Sequence, residues 1–486
     1  MKHFISKISK VLLIATILPI ATIRAELPEN VNEDQTRACC NRVPRISCAP
    51  TPITTVTTIT TAGTYCLANT ISGAGPLITI ASSSVVLDLN SFVLNATSGN
   101  AVVVDPTLHR DHITIRNGLI DGSAAGDPNT ASGANGIVIP TPIEAAGFGH
   151  SCVLLSNLDI RRFVSTGMST GPSFTSASHQ PVNNMTIDNC CFIYSGTNIS
   201  LAGANISITN SKSEFSISGN GAYLNSCDAI RIEDSIFSFN ALAGVVFNSC
   251  GGAIVNNSIF FSNSGDGFDA VQTNPLIALF GDVFEQCLFS GNGGKGVYIN
   301  SPVLEGGCFK FLECESLCNS DNGFTFSGIV TDVVLEQCIS TGNCPGNGFV
   351  FTTAAGCTAT LTECAASDNT TGFDMSASLG SGVIQGCKAI GNSLTVSAAG
   401  CTPAAGGCGF NDTSTSLYQY VSNVAQGNGS GAASGTDTNY CVSGVGSEFT
   451  PVTGGPGITM PYNQYGRNQF GFFAAGLSAF DNVTLR

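Results

Sequence analysis

The chain has no tryptophan, only five histidines and few charged side chains, which make up 10% of its 486 residues. His112 follows Arg110-Asp111, and His150 stands two residues before Cys152. No H-x-H or C-x-x-C motif is present, so the sequence predicts no metal site of the zinc type. Nor can a hydroxyl, a base and an acid be placed together as a catalytic triad. The lack of tryptophan weakens, without removing, the case for stacking against sugar rings.

Basic residues are also scarce, with 18 Lys and Arg against 33 Asp and Glu and a net charge of −15. This balance argues against nucleic acid and anionic membranes as partners. It also disfavours unaided binding of acidic polysaccharides. Hydrophobic residues still make up 43% of the chain, so a folded core is expected rather than disorder.

Long hydrophobic runs are limited to residues 11–23, which are interrupted by Pro19 and too short to span a bilayer. Three lysines precede this run, and Ile23-Arg24-Ala25 suits a cleavage site. The pattern predicts a signal peptide at 1–25 and export, with the protein secreted, at the cell surface or in the periplasm. Removing the four basic residues of that segment changes the net charge from −15 to −19.

A degenerate motif recurs every 21 to 29 residues between Ile113 and Asn411. An I-x-I strand is followed by a polar residue and Cys or Ser, then by Asn, Gly and a second alternating strand, as after Ile206-Ser-Ile208 and Ile230-Arg-Ile232. A unit this short cannot bury its own apolar face, so neighbouring units must stack. It is also too short for a βαβ unit. The period therefore predicts an all-β parallel β-helix.

Two features of each repeat are expected at bends. Amide or acidic residues precede the Cys or Ser and are predicted to accept hydrogen bonds from adjacent coils. They are Asn189, Asn210, Asp234, Asn257, Gln286, Glu313, Gln337 and Glu363. The glycines that open the second strand are predicted to need a positive φ. They are Gly244, Gly267, Gly296, Gly323, Gly348 and Gly372.

The first coils carry a family resemblance. The segments 64–67, 78–80, 85–90 and 113–122 resemble right-handed parallel β-helix proteins of the pectin-lyase-like superfamily. The likeness covers roughly residues 53–425 and departs at Ser91, where that opening usually carries glycine. A fainter resemblance, through Gly251-Gly-Ala-Ile254 and three F-x-x-N pairs, is to passenger domains of polymorphic outer-membrane proteins.

The predicted fold class is thus a single right-handed parallel β-helix solenoid of roughly 12 or more coils with N- and C-terminal caps. After the signal peptide, residues 26–52 form a Cys- and Pro-rich segment or cap, and 53–425 form the β-helix. A Gly/Ser linker is expected at 426–440 and a C-terminal cap at 441–486. No transmembrane segment is predicted, and the oligomeric state is left open.

The 21 cysteines suit an oxidising compartment. Those of the row from Cys287 to Cys387 share a register, but their parallel Cβ directions fit a disulfide poorly, so we expect stacked buried thiols there. Loop cysteines are better candidates for disulfides. They are Cys318 with Cys344, and Cys401 with Cys408.

Equivalent residues of successive coils form rows about 4.8 Å apart. On the second strand of the repeat, Tyr223, Asp269 and Tyr298 are predicted to face outward in one row and to offer a shallow sugar subsite. Asp266 lies in the turn before Asp269, and Lys295 lies about one coil away. The sequence predicts Asp266 and Asp269 to be exposed in a solvated turn.

Two classes of function remain. The first is a non-catalytic exported β-helix for adhesion or glycan binding, with a glycan or a cell-surface receptor as partner and no cofactor. The second is a polysaccharide lyase or glycoside hydrolase that uses Asp266, Asp269 and Lys295 on the outer strand face. A lyase needs a base beside the substrate carboxylate and usually calcium, whereas a hydrolase needs two carboxyl groups. The superfamily's hydrolases carry N-x-D, D-D, G-H-G and R-x-K, and this chain has no Asp-Asp pair. The sequence favours the non-catalytic class.

Overall fold

The computed structural model describes residues 51–124, 127–143, 149–171, 181–272, 281–302, 307–392, 408–412, 417–426 and 428, and strands at 440–442, 448–450, 459–460 and 484–485. These residues form strands that stack in parallel as three faces, each coil adding a strand to each face. The prediction of an all-β right-handed parallel β-helix is confirmed.

The first face consists of strands Thr51–Ile53, Gly63–Leu67, Val85–Asp88, Asp111–Asp121, His150–Arg161, Val182–Asp188, Ala204–Thr209, Asp228–Glu233, Ile254–Asn256, Asp282–Glu285, Cys308–Leu312, Asp332–Glu336, Thr358–Thr362, Ser381–Gln385, Leu417–Val421 and Glu448–Thr450. The second face consists of Ile71–Ala74, Val93–Ser98, the later halves of Asp111–Asp121 and His150–Arg161, and Cys191–Ile193, Lys212–Glu214, Ile236–Ser238, Ile259–Phe261, Leu288–Ser290, Glu315–Leu317, Ile339–Thr341, Ala365–Ser367, Lys388–Ile390 and Val424–Gln426.

The third face consists of Thr57–Ile59, Ile78–Ile80, Asn100–Val104, Gly133–Ile139, Phe163–Thr170, Thr197–Leu201, Ala222–Asn225, Val245–Asn248, Phe268–Val271, Val297–Ser301, Phe324–Gly328, Phe349–Thr353, Phe373–Asp374, Phe410–Asp412 and Tyr440–Val442. Two small pairs lie apart from these faces: Ser123–Ala124 with Asp127–Ala131, and Thr459–Met460 with Thr484–Leu485.

The core follows from the alternation within each strand. Alternate side chains point inward, and equivalent side chains of successive coils contact each other. Phe349 stacks on Phe324 with ring centroids 5.1 Å apart, and Phe373 stacks on Phe349 at 4.9 Å. All three side chains have no exposed surface. The β-helix therefore buries one continuous column of aromatic and aliphatic groups.

The bend between the first and second faces uses a left-handed backbone conformation. The amide and acidic residues that precede the Cys or Ser all have a positive φ. The smallest value is 46°, at Asn257, and the largest is 54°, at Gln286, Gln337 and Glu363. Asn and Asp tolerate this conformation better than most residues. Several also contact the next coil, as where Gln286 Nε2 donates to Glu313 Oε2 at 2.9 Å. The bend thus selects these residues for backbone shape as well as for hydrogen bonding.

The glycines of the third face need close approach rather than a positive φ, so the sequence prediction for them is wrong. A Cβ at Gly267 would lie 2.7 Å from both Gly296 O and Asn292 Nδ2, and no positive φ occurs there. Gly244 is similarly close to Gly267 O, at 2.6 Å. These positions exclude side chains because adjacent coils meet there.

A buried asparagine ladder runs beside these glycines through eight coils. The backbone N–H and Nδ2 of Asn263 both donate to Asn292 Oδ1, at 3.1 and 3.0 Å. Asn292 repeats both bonds to Asn319 Oδ1. The other members are Asn240, Asn343, Asn369, Asn392 and Asn428. The ladder satisfies turn amides that would otherwise be buried without partners.

The cysteines divide into an inner row and loop positions. The predicted stacked thiols are confirmed, since Cys287, Cys314, Cys338, Cys364 and Cys387 are buried and free. The predicted pair of Cys318 with Cys344 is wrong, because Cys318 is a free, exposed thiol while Cys344 is disulfide-bonded. Cys408 is also disulfide-bonded. Cys401 lies outside the described residues, so its pairing with Cys408 stays a prediction.

At the ends, the predicted signal peptide (1–25) lies outside the described residues, as do almost all of the N-terminal segment and most of the predicted linker and C-terminal cap. Parallel pairing nevertheless continues past 425, because Tyr440–Val442 pairs with Phe410–Asp412 and Glu448–Thr450 pairs with Leu417–Val421. In the part of the chain that the structure describes, no helix has the length and apolar character needed to cross a membrane.

Candidate functional site

The strand register of the third face confirms the predicted outward row. In order, the row contains Tyr223, Val246, Asp269, Tyr298, Thr325, Val350 and Asp374. Asp269 lies directly beside Tyr298, whereas Val246 separates it from Tyr223. Thr325 and Val350 are only 5% and 8% exposed, so the accessible part of this stretch of the row ends at Tyr298.

Asp269 has a carboxyl group that the fold keeps partly out of water. Its Oδ1 atom is buried without a hydrogen-bond partner. Burial, reinforced by the neighbouring carboxylate of Asp266 and only partly opposed by Lys295, raises the pKa of Asp269 to about 7. Near pH 7 the group is therefore protonated in part, and in that form it can donate as well as accept a hydrogen bond.

Asp266 lies in the turn that leads into the same strand. Its Oδ1 accepts a hydrogen bond from the backbone N–H of Lys295 at 2.6 Å. Burial raises the pKa of Asp266 despite this bond and the charge of Lys295. The prediction that Asp266 and Asp269 are exposed in a solvated turn is wrong, because adjacent coils cover part of each carboxyl group.

Lys295 links three coils of the site. Its Nζ lies 3.3 Å from Asp321 Oδ2 and 4.5 Å from the ring centroid of Tyr298. Burial alone would lower the pKa of Lys295, but attraction to Asp266 and Asp321 outweighs it, so that pKa is raised. An ammonium held in its charged form cannot take a proton from a substrate, which argues against Lys295 as the base of a lyase.

Asp321 is a site residue that the sequence interpretation missed. The backbone N–H of Asp321 donates to Gly294 O, so this turn stacks on the turn of Lys295. Each of these turns ends at a glycine that opens the third-face strand, Gly296 in one coil and Gly323 in the next. Aligning the two glycines places Asp321 opposite Gly294, next to Lys295. The signal was present, but only in the register between coils.

Tyr223 lies apart from this cluster. Its hydroxyl accepts a hydrogen bond from Asn248 Nδ2 at 3.0 Å, and the same amide donates to Asn225 Oδ1. The ring of Tyr298 is covered by the Lys295 ammonium, so it is a poorer flat platform for sugar stacking than the sequence suggests. The polar groups of Asp266, Asp269 and Lys295 consequently dominate the site.

His109 and His150 form a separate cluster, in which His150 is buried. His150 Nδ1 accepts a hydrogen bond from the backbone N–H of Arg110 at 3.1 Å, and the rings of His109 and His150 stack at 6.4 Å. Burial lowers the pKa of His150 to about 4, so the ring is neutral. Across the described residues, no group of three or more His, Cys, Asp or Glu side chains is placed to hold a metal ion.

No protein-family model matches the chain, and no curated protein matches it. Among solved structures, the A-module of mannuronan C-5 epimerase AlgE6 from Azotobacter vinelandii is 15% identical, with a TM-score of 0.42, 79% of this chain and 91% of that chain covered. PfbA, a surface adhesin of Streptococcus pneumoniae, is 11% identical, with a TM-score of 0.38, 75% and 82% covered. The pectate lyase Pel9A is 14% identical, with a TM-score of 0.32, 71% of each chain covered.

These similarities are low, and the fold assignment rests on the strand pairing described above. That pairing confirms the parallel β-helix fold that the resemblance implied. The resemblance to passenger domains of polymorphic outer-membrane proteins stays a prediction.

Proposed function

We propose that the protein is an exported, non-catalytic β-helix that binds neutral glycans at the cluster of Asp266, Asp269, Lys295 and Tyr298. The feature that supports this most is the half-buried carboxyl group of Asp269, which lies in register with Tyr298 and has its pKa raised to about 7. Sugar hydroxyls need both donors and acceptors, and this cluster supplies both.

Neutral glycans suit the site better than acidic ones. Asp266 and Asp321 outnumber the single ammonium of Lys295, and the whole chain carries a net charge of −15. A uronate would meet like charge at the site and across the molecule. Export is the setting that the N-terminal sequence predicts.

Glycoside hydrolysis is a second candidate, favoured by one observation. A hydrolase needs one carboxyl group protonated near neutral pH and another that acts as base or nucleophile. Asp269 has the raised pKa of a general acid, and Asp266 is the neighbouring carboxylate that contributes to raising it. The lyase alternative is disfavoured because Lys295 stays protonated, and calcium was expected only with that alternative.

The test is a panel of neutral and uronate glycans, measured for binding and for reducing ends or unsaturated products. We expect neutral glycans to bind without products, and to bind more weakly as pH rises from 6 to 8, because Asp269 loses its proton near pH 7. Asp269→Ala should weaken binding about tenfold. Asp269→Asn, which keeps a donor and an acceptor, should bind with little pH dependence.

Asp228→Asn is the matched control, because Asp228 is exposed on the first face. It should retain wild-type binding at every pH. Turnover that disappears in Asp269→Asn while binding persists would overturn the non-catalytic proposal in favour of hydrolysis. Failure of all neutral glycans to bind would overturn both.

A further inference from the structure

Three aromatic side chains at the bend from the second to the third face and a fourth, Phe261, at the end of the next second-face strand form a partly exposed ladder. Tyr194 stacks on Phe215 and Phe215 on Phe239, with ring centroids 5.4 and 5.0 Å apart. Phe261 continues the ladder at 5.5 Å from Phe239, with its ring turned by 89°. We name these four residues the aromatic ladder. It advances by one ring per coil along the axis of the β-helix.

The backbone of the ladder is unfavourable for aromatic residues. Tyr194, Phe215 and Phe239 have φ of 55°, 52° and 55°, a left-handed conformation that bulky side chains rarely adopt. The equivalent bend in the next coils is formed by Ser262 and Gly291, which fit this conformation better. The fold therefore does not require aromatic residues at this bend, and such retained strain is a sign of function.

The ladder also keeps apolar surface in water. Phe239 is 45% exposed, and on the same turns Ile217 and Leu242 are 56% and 51% exposed. Contiguous exposed apolar surface commonly marks a binding surface. Polar side chains flank the aromatic ladder. Glu214 accepts a hydrogen bond from Ser238, and Arg162 is paired with Asp121.

The last ring of the ladder belongs to the coil that carries Asp266 and Asp269. Phe261 ends the second-face strand of the same coil whose next turn holds Asp266 and whose third-face strand holds Asp269. The cluster therefore lies on the turn and the strand that follow the last ring of the ladder in the chain.

We propose that the aromatic ladder binds the extension of a neutral, extended β-1,4-linked glycan whose end contacts the Asp266–Asp269 cluster. The ring spacing of 5.0 to 5.5 Å is close to the length of one pyranose residue in such a chain, so each coil contacts one sugar. Because the rings stack on one another, a sugar would contact their exposed edges and the neighbouring side chains of Ile217 and Leu242, and the flanking polar groups accept from or donate to its hydroxyls. This inference rests on the proposed function and adds the linkage and the direction of the chain.

The test uses β-1,4-linked oligomers of glucose, mannose and N-acetylglucosamine, each of two to six residues, with malto-oligosaccharides as a non-extended control. Calorimetry should show that affinity rises with length for at least one β-1,4 series and not for the malto series. In the double variant Phe215→Ser, Phe239→Ser, the hexamer should lose about tenfold in affinity while the dimer binds as in wild type.

Phe239→Gly provides a second variant that relieves the backbone strain, so it should fold at least as well as wild type and still lose affinity for the hexamer. Ile390→Ser, at an exposed apolar position of the second face, is the matched control and should change nothing. Circular dichroism and the thermal midpoint confirm the fold of each variant.

Three results would overturn the inference. The first is an unchanged gain with length in the ladder variants, and the second is no binding of any β-1,4 oligomer. The third is self-association in sedimentation that disappears in Phe239→Gly, which would assign the ladder to contact between copies. The proposed function is judged separately, by the wider glycan panel and by Asp269→Ala.

Discussion

At the scale of single residues, Asp282 shows how the coil shifts the protonation of a carboxyl group outside the candidate site. One oxygen accepts a hydrogen bond from the backbone N–H of Ala253 at 2.7 Å, and Oδ2 is buried without a partner. Burial raises the pKa of Asp282 to about 7, and the single hydrogen bond only partly opposes this. The folded protein therefore holds a proton here that the unfolded chain releases near pH 4.

We expect Asp282 to make the protein less stable as pH rises. Because the folded pKa lies above the ordinary value, its favourable contribution is complete below about pH 4 and is lost by about pH 7. Asp282→Asn, which mimics the protonated group, should stabilise the protein at pH 8 by on the order of 3 kcal/mol and have little effect at pH 4. Urea midpoints measured from pH 4 to 8 check this.

Asp332→Asn is a suitable control, because Asp332 lies on the same face and its side chain is only half-buried. It should leave the dependence of the urea midpoint on pH as in wild type. If Asp282→Asn and wild type show parallel curves, the carboxyl group of Asp282 is ionised in the folded protein and the interpretation fails.

At the scale of the element, the turn into the third face is held by glycine and asparagine together. Gly267→Ala would place a methyl group 2.7 Å from Asn292 Nδ2 and from Gly296 O, so coils or the asparagine ladder must shift. We expect a loss of about 3 kcal/mol or more, since buried hydrogen bonds would be broken. The urea midpoint at pH 7 measures this.

Gly281→Ala, in the turn before a first-face strand, separates the two reasons for which a turn can require glycine. Gly281 has φ of 60° and nothing lies within 4 Å of its missing Cβ, so only backbone strain of about 1 kcal/mol is expected. Equal losses in the two variants would contradict the close-approach explanation for Gly267.

The sequence predicts the outward row and the inner thiols because both follow from strict alternation and a constant repeat. Asp269 and Tyr298 fall in register for that reason. The sequence does not predict the burial of Asp266, because the groups that cover this side chain come from the next coil and the turns differ in length. Nor can it tell a glycine that needs close approach from one that needs a positive φ, because both appear as Gly at a turn.

At the scale of the whole molecule, the cysteines should report on the integrity of the stack. The row from Cys287 to Cys387 is buried between coils, whereas Cys152, Cys308 and Cys318 are exposed. We expect iodoacetamide to label the exposed three in the native protein and the buried row only after denaturation. Mass mapping under non-reducing conditions checks this, and rapid native labelling or disulfides within the row would contradict the stack.

Between its first and last strands, each strand of a face of the described β-helix pairs with its counterparts in the coils before and after it. The aromatic ladder and the carboxyl cluster therefore depend on few coils, and distant coils contribute mainly length. Duplication of one coil within the ladder would add one ring and, by the same spacing, room for one more sugar. Loss of a coil would remove one. The span of the ligand could thus change in evolution in single steps, without a new fold and without alteration of the chemistry at Asp269.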